Sequence, residues 1–154
     1  MFFFYNKKVM LEKPRRPHDE FFREAFSRRD IVTDYLRVFL PARLLKKLRL
    51  EKLKLLNTSY ITEQLSQYFS DIVYACPYGP AEQEIRITLL FEHKSMPARY
   101  PHLQLLRYQL QIWEENLKQK EPLSPVIPLV FYHGSEKWEY RPFSSYFEGI
   151  DSDL

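Results

Sequence analysis

Three charged residues interrupt apolar stretches of the sequence. Asp71 lies within residues 68–76, Glu92 lies at the end of residues 84–93, and Lys94 follows Glu92 by two residues. Both stretches are rich in the β-branched and aromatic residues that favour strands. Because side chains alternate along a strand, Glu92 and Lys94 share one face. A carboxylate among apolar neighbours is costly unless it is paired or binds a metal, so these residues are the first candidates for a functional site.

Two carboxylates from neighbouring strands, with an ammonium group beside them, could support metal-dependent hydrolysis of a phosphodiester. If the two strands pair around a turn at 77–83, which contains the cluster P-Y-G-P (77–80), Asp71 and Glu92 converge at one end of the hairpin. Carboxylate oxygens and water suit Mg²⁺, with Mn²⁺ as a substitute. Lys94 would hold the attacking water and offset the charge on the phosphate. In the structural alternative, Glu92 and Lys94 form a salt bridge on one face and Asp71 only ends a strand.

The first half of the chain predicts two helices and a basic, leucine-rich segment. Asp19 is placed to be the N-cap of the first helix, and the second follows Asp30 and ends at Pro41. Four residues of the second helix are predicted to face inward: Ile31, Tyr35, Leu36 and Phe39. Residues 43–56 predict an amphipathic helix that runs into an edge strand, with leucines toward the core. A membrane-surface helix is the less favoured alternative for this segment.

The second half predicts a β-hairpin over residues 68–93, then a helix, then a strand over residues 126–134. The helix ends before Pro122, and its apolar residues recur at helical spacing: Leu103, Leu106, Leu110, Trp113 and Leu117. The final strand is almost wholly apolar, which is typical of a strand covered on both faces in an α/β sheet.

Composition and charge limit the function classes. The chain has 154 residues, which suggests one domain over residues 18–154 after a basic arm at 1–17. No apolar run approaches the roughly 20 residues of a membrane helix, so no membrane partner is expected. The single Cys76 predicts a reducing compartment, the cytoplasm.

The distribution of charge suggests a polyanionic partner. Residues 1–60 hold 15 Lys and Arg against 7 Asp and Glu, and the remainder of the chain is acidic. Several basic residues between positions 13 and 54 are candidates for contacts to DNA phosphates: Arg15, Arg16, Arg43, Lys46 and Lys47. An ordinary solvated surface is an equally good reading of this charge pattern.

Five stretches resemble, in order, the Rpn-type recombination-promoting nucleases, also described as YhgA-like transposases, of the PD-(D/E)XK nuclease superfamily. Two of them surround the charged residues named first: S-D-I-V-Y (70–74) and L-L-F-E-H-K-S (89–95). The others are H-D-E-F-F-R-E-A-F (18–26), L-L-R-Y-Q-L-Q-I-W-E (105–114) and I-P-L-V-F-Y-H-G (127–134). The resemblance implies an α/β fold with a restriction-endonuclease-like core, in which helices flank a mixed central sheet. It also implies Mg²⁺-dependent cleavage of DNA in recombination or transposition.

Carried over by position, the resemblance makes Asp71 and Glu92 metal ligands and Lys94 the catalytic lysine. The stretch Q-L-L-R-Y also resembles the Gln-x-x-x-Tyr helix pattern of RecB-like nucleases, which implies that Gln104 and Tyr108 support the site. Simple packing of Tyr108 is the alternative. Glu24 is a candidate for an additional carboxylate from the first helix, with an exposed helical position as the alternative.

The chain is shorter than most members of that family, so we expect that it lacks a C-terminal region. This departure motivates a second hypothesis, an inactive DNA-binding or partner-binding remnant of a mobile element. The sequence leaves a homodimer open.

Overall fold

The structure is a computed structural model that describes residues 17–62, 69–92, 99–132, 141–147 and 149. Its helices are α1 (Pro17–Phe26), α2 (Arg29–Phe39), α3 (Ala42–Leu45) and α4 (Pro101–Lys118). Its strands are β1 (Lys54–Leu56), β2 (Phe69–Tyr78), β3 (Gln83–Glu92) and β4 (Val126–Phe131). Single turns of 3₁₀ helix cover Leu50–Lys52 and Phe143–Tyr146.

The four described strands form one mixed sheet in the order β1-β2-β3-β4. The β1/β2 and β2/β3 pairs are antiparallel, whereas β3 and β4 are parallel. A parallel pair needs a crossover connection, and α4 lies between these two strands in the chain. The predicted α/β class is therefore confirmed, and the mixed sheet with helices is consistent with a restriction-endonuclease-like core.

The described residues 69–92 confirm the predicted central hairpin, but its turn is shorter than the predicted turn at 77–83. Pro77 and Tyr78 remain in β2, and Tyr78 pairs with Gln83. The chain reverses over residues 79–82, where Gly79 has a φ of 70° and Glu82 a φ of 48°. Glycine adopts a positive φ at no steric cost, so the turn begins at Gly79 rather than at the preceding proline.

One face of the sheet is covered by α1, α2 and the leucine-rich segment. Val32 and Leu36 of α2 are fully buried, in one core cluster with Tyr74, Ile87 and other strand residues. The prediction for Leu36 is confirmed, whereas Phe39 is 62% exposed and its inward placement was wrong. The inward stripe runs through Val32, Leu36 and Leu40 because residues four apart lie on one side of a helix.

The leucine-rich segment has less helix than predicted, although its leucines do face the core. Helix α3 ends at Leu45. Beyond it, Leu48, Leu50 and Leu53 are buried, and the chain then enters β1 at the edge of the sheet. No helix in the described part of the chain is long and apolar enough to cross a bilayer.

The opposite face of the sheet is covered by α4. Tyr108 and Ile112 are fully buried there and form a cluster with Phe69 and Leu90. The apolar stripe predicted from spacing is not the stripe that packs on the sheet. Four of its members are about half exposed, at 50, 47, 51 and 62%: Leu103, Leu106, Leu110 and Leu117. The contact stripe includes a tyrosine and an asparagine, Asn116, so hydropathy alone does not single it out.

Candidate functional site

Asp71 is a buried carboxylate in the middle layer of the fold. It lies on the α4 side of β2 and pairs with Leu90 of β3. Only 1% of its surface is exposed, and Leu90 and Thr88 are fully buried. An ionised group in such surroundings must be compensated by hydrogen bonds or opposite charge, so its partners decide what this position can do.

Three donors satisfy the Asp71 carboxylate. The Tyr108 hydroxyl donates to Oδ2 at 2.7 Å, and the backbone N–H of Tyr60 donates to the same oxygen at 2.8 Å. The hydroxyl of Ser59 donates to Oδ1. Hydrogen bonds to an ionised acceptor are stronger than bonds between neutral groups, and three of them stabilise a buried carboxylate in its charged form.

The surroundings of Tyr108 keep its hydroxyl protonated, so that it donates a hydrogen bond to Asp71. Burial, followed by the negative charge of Asp71 and the hydrogen bond to it, raises the pKa of Tyr108 well above its usual value. Tyr108 therefore keeps its proton throughout the neutral range and fixes the orientation of the carboxylate. The structure thus brings together Asp71 of β2 and Tyr108 of α4, two site residues that were predicted from the sequence.

The strand register places Glu92 close to this point. Residue 92 pairs with Phe69, two residues before Asp71, so residues 71 and 92 are diagonal neighbours on one face of the hairpin. Diagonal neighbours in antiparallel pairs are roughly 7–8 Å apart, within reach of long side chains. The side chain of Glu92, and all of Lys94, lie outside the described residues. Their roles in metal binding and catalysis stay predictions.

Gln104 lies one helical turn before Tyr108 on α4. Gln109 contacts Val126 and Trp113 contacts Ser124, so α4 runs antiparallel to β4 and to the parallel strand β3. Residues four apart lie on the same side of a helix, so Gln104 is displaced toward the Glu92 end of the sheet. Its side-chain oxygen Oε1 is buried, and no described residue donates a hydrogen bond to it. An unsatisfied buried oxygen costs roughly 1–3 kcal/mol, so this atom is suited to accept a ligand.

The oxygens in this region fit a hard divalent cation. A carboxylate has about four lone-pair positions, and the three described donors to Asp71 leave one position, on Oδ1, without a partner among the described residues. Gln104 adds a buried carbonyl-type oxygen with no described donor, and the strand register places position 92, a glutamate in the sequence, diagonally opposite Asp71. Mg²⁺ and Mn²⁺ take oxygen ligands of these types. Among the described residues no group of three His, Cys, Asp or Glu side chains forms a metal cluster.

Sequence reasoning missed the loop that caps the carboxylate. Ser59 and Tyr60 follow β1 and precede Asp71 by 12 and 11 residues, and nothing in their spacing indicates the contact. The only local signal is the polar run N-T-S (57–59) after an apolar strand. The order β1-β2 in the sheet brings this loop over Asp71, so only the topology could reveal it.

The first helix contributes a different carboxylate from the one predicted. Glu24 is exposed, in agreement with its structural alternative. Asp19 was predicted as an N-cap, but α1 already begins at Pro17, whose fixed φ suits the first helical position. Asp19 instead accepts a hydrogen bond from the hydroxyl of Ser70 and lies 3.5 Å from Nε of Arg23. It therefore ties α1 to β2 beside Asp71, on the other face of the sheet.

The basic segment lies far from the carboxylate. The backbone of Lys47 accepts a hydrogen bond from Gly79, and Arg49 donates to Pro77, so both lie at the turn of the hairpin. Asp71 is seven residues from Tyr78 along β2, which corresponds to about 23 Å. Arg15 and Arg16 lie outside the described residues. Lys47 and Arg49 therefore lie at the opposite end of β2 from Asp71.

Comparison with known proteins identifies the family. Residues 16–151 match the profile of the family described as "Putative transposase, YhgA-like". The chain belongs to this family. The YhgA-like match includes Asp71, Glu92, Lys94, Gln104 and Tyr108, and it confirms the resemblance drawn from the five stretches.

Three curated relatives come from Escherichia coli. The recombination-promoting nuclease RpnD of strain O157:H7 is 31% identical over 121 residues, which are 77% of this chain and 46% of the relative. RpnA of strain K12, another recombination-promoting nuclease, is 30% identical over 123 residues, 78% of this chain and 41% of the relative. The inactive recombination-promoting nuclease-like protein RpnE of strain K12 is 31% identical over 121 residues, which are 77% of this chain and 39% of the relative. This YhgA-like chain thus spans less than half the length of these relatives, and no solved structure matches it significantly.

Proposed function

We propose that this domain is a DNA endonuclease that hydrolyses phosphodiester bonds with Mg²⁺ or Mn²⁺ and acts in recombination or transposition. One observation carries the proposal: the buried carboxylate of Asp71 is hydrogen-bonded at 2.7 Å to Tyr108 of the Gln-x-x-x-Tyr helix, and Glu92 is its diagonal neighbour. Two relatives whose names describe recombination-promoting nucleases support the reaction class.

Each residue has a distinct role in this proposal. Asp71 and Glu92 would bind the cation, and Gln104 Oε1 would either coordinate the cation or accept a hydrogen bond from a water beside it. When bound, the cation would supply positive charge to the phosphate and lower the pKa of a water molecule. Tyr108 orients the Asp71 carboxylate through the hydrogen bond already present. Lys94 would donate a hydrogen bond to the attacking water and stabilise negative charge on the phosphate oxygens.

Plasmid nicking with the purified chain tests the proposal. We expect relaxed circles to appear with Mg²⁺ or Mn²⁺ and to be absent with EDTA. Asp71→Asn, Glu92→Gln and Lys94→Met should each lower cleavage to the level of the EDTA control. Asp71→Asn preserves the size of the side chain, and circular dichroism with urea unfolding would verify that this variant is folded.

Glu84→Gln is the matched control for Glu92→Gln. Glu84 lies on the same strand and face, and its Oε1 is 3.0 Å from Nη2 of Arg86 at the turn end of the hairpin. This variant should cut DNA like the parent chain. Cleavage that survives in Asp71→Asn or Glu92→Gln, or that is lost equally in Glu84→Gln, would refute the assignment.

A non-catalytic DNA-binding domain is the second candidate. It is favoured by the three hydrogen bonds that already occupy Asp71, because a cation would compete with the Ser59 loop for the same carboxylate. The relative named as inactive makes this outcome reasonable within the family. Retention of labelled DNA at low salt, without cleavage in Mg²⁺, Mn²⁺, Co²⁺ or Ca²⁺, would favour this function over the endonuclease.

A further inference from the structure

The outer face of α4 carries a row of exposed leucines, here called the leucine seam: Leu103, Leu106, Leu110 and Leu117, with the half-buried Trp113 between the last two. The spacing alternates between three and four residues, which is the a/d pattern of a coiled coil. The leucines are between 47 and 62% exposed, whereas Tyr108 and Ile112 on the inner side of the same helix are fully buried. The helix therefore has two apolar faces, and the sheet covers only one of them.

Exposure of a continuous apolar row in a folded domain indicates a contact surface. Trp113 is already fixed in place, because its Nε1–H donates to the carbonyl oxygen of Ser124 at 2.9 Å. The seam thus has a rigid aromatic group beside flexible leucines, and little side-chain entropy would be lost at the tryptophan on binding.

The charges beside the seam select the partner. Arg107 and Glu114 are both exposed and lie on the same flank, three residues before and four residues after Leu110. Arg107 forms no ion pair with any residue that the structure describes. An antiparallel copy of α4 centred near Leu110 would place each Arg107 beside the Glu114 of the other copy. In a parallel pair this flank would face the opposite flank of the other helix, which carries Gln109 and Asn116, so neither charge would gain a charged partner.

We propose that the leucine seam binds a second copy of this chain, with the two α4 helices packed antiparallel around a two-fold axis near Leu110. Leu103 and Leu117 are seven residues on either side of Leu110, so Leu103 of each copy would pack against Leu117 of the other copy. The interface is isologous, and it needs no residue other than those on the surface of α4. This inference does not depend on nuclease activity.

The size of the surface sets the expected affinity. A helix of 18 residues is about 27 Å long and about 10 Å wide, so its footprint is roughly 270 Å². Stable interfaces bury about 800 Å² on each partner, so the seam alone should give a weak, reversible dimer. Its formation should therefore be followed between about 1 and 200 μM protein, where the dimer should increase with concentration and dissociate on dilution.

Sedimentation velocity of the full chain over this concentration range is the first test. The parent chain should shift from monomer to dimer, and Leu110→Asn should raise the dissociation constant at least tenfold. Val38→Asn is the matched control, because Val38 is 74% exposed on α2, on the other side of the sheet. This control should dimerise like the parent chain. A parent chain that stays monomeric at every concentration would overturn the proposal and leave the seam to another occupant.

A charge exchange tests the antiparallel orientation. Arg107→Glu and Glu114→Arg should each weaken the dimer about threefold or more, because each places like charges across the axis. The double variant restores both pairs and should recover the affinity of the parent chain. If the double variant is weaker than either single variant, the antiparallel arrangement is wrong. Thermal unfolding of each variant verifies folding, since these side chains are exposed in the monomer.

Discussion

Replacement of Tyr108 by phenylalanine isolates the hydrogen bond at the centre of the site. The change removes one hydroxyl that donates to Asp71 Oδ2 at 2.7 Å and leaves a ring of nearly the same shape in the core. A hydrogen bond to a charged group contributes roughly 1.5–3 kcal/mol, so the free energy of unfolding at neutral pH should fall by about that amount. Two donors to the carboxylate remain, which limits the loss.

Tyr74→Phe is the matched control. Tyr74 is buried on the opposite face of the sheet, and its hydroxyl donates at the same distance of 2.7 Å to the backbone oxygen of Phe26. Its acceptor is neutral, so its loss should cost only about 0.5–1.5 kcal/mol. Urea unfolding, followed by the fluorescence of Trp113 and Trp138, measures both variants under the same conditions.

The comparison of the two variants tests whether the acceptor of the Tyr108 hydroxyl is charged. The loss for Tyr108→Phe at neutral pH should exceed the loss for Tyr74→Phe. Equal losses for both variants would refute the conclusion that Tyr108 bonds to a charged carboxylate. Addition of Ser59→Ala should give a non-additive loss, because both hydroxyls share one acceptor.

Three further predictions concern the surroundings of the site and the core. Ser59→Ala removes the donor to Asp71 Oδ1 and should lower the free energy of unfolding by about 1–3 kcal/mol. The same variant should bind Mn²⁺ more tightly in calorimetry, and an unchanged affinity would argue that the Ser59 loop does not compete with the cation for Asp71. Asp19→Asn should destabilise the fold by about 1–2 kcal/mol in urea, whereas the exposed Glu24→Gln should stay within about 0.5 kcal/mol, and equal effects would contradict the described contact. Burial raises the pKa of Cys76 to about 11 and that of Tyr74 to about 12. Both groups ionise more readily when unfolded, so each should lower the free energy of unfolding by at most about 1.4 kcal/mol per pH unit as the pH rises, Cys76 between about pH 9 and 11 and Tyr74 between about pH 10 and 12. Urea unfolding at increasing pH measures this decline, and a flat profile would show that these groups are accessible to water in the native state.

The sequence by itself determined the hairpin, the sheet type and the family. Residues 68–76 and 85–91 are apolar on both faces of a strand, and this pattern favours a strand pair covered on both sides, which the structure confirms with Leu89 and Leu90 both fully buried. Side chains alternate between the two faces of a strand, so the sequence also placed Asp71 on a face with apolar neighbours, as the structure does. The five stretches that resemble the family are short runs of consecutive residues, so they can be recognised without coordinates.

Tertiary structure alone decided which face of α4 meets the sheet and what holds Asp71. Helical periodicity shows that apolar faces exist, but α4 has two, and the stripe with Tyr108 and Asn116 is the less hydrophobic in composition. The choice depends on the fit to the sheet and on the buried hydrogen bond to Asp71, neither of which hydropathy records. The contact from Ser59 depends on strand order, and that of Asp19 on how α1 packs against β2. Buried polar groups need hydrogen-bond partners, and here the partners come from residues that are distant in the chain. Local sequence patterns therefore do not indicate these contacts.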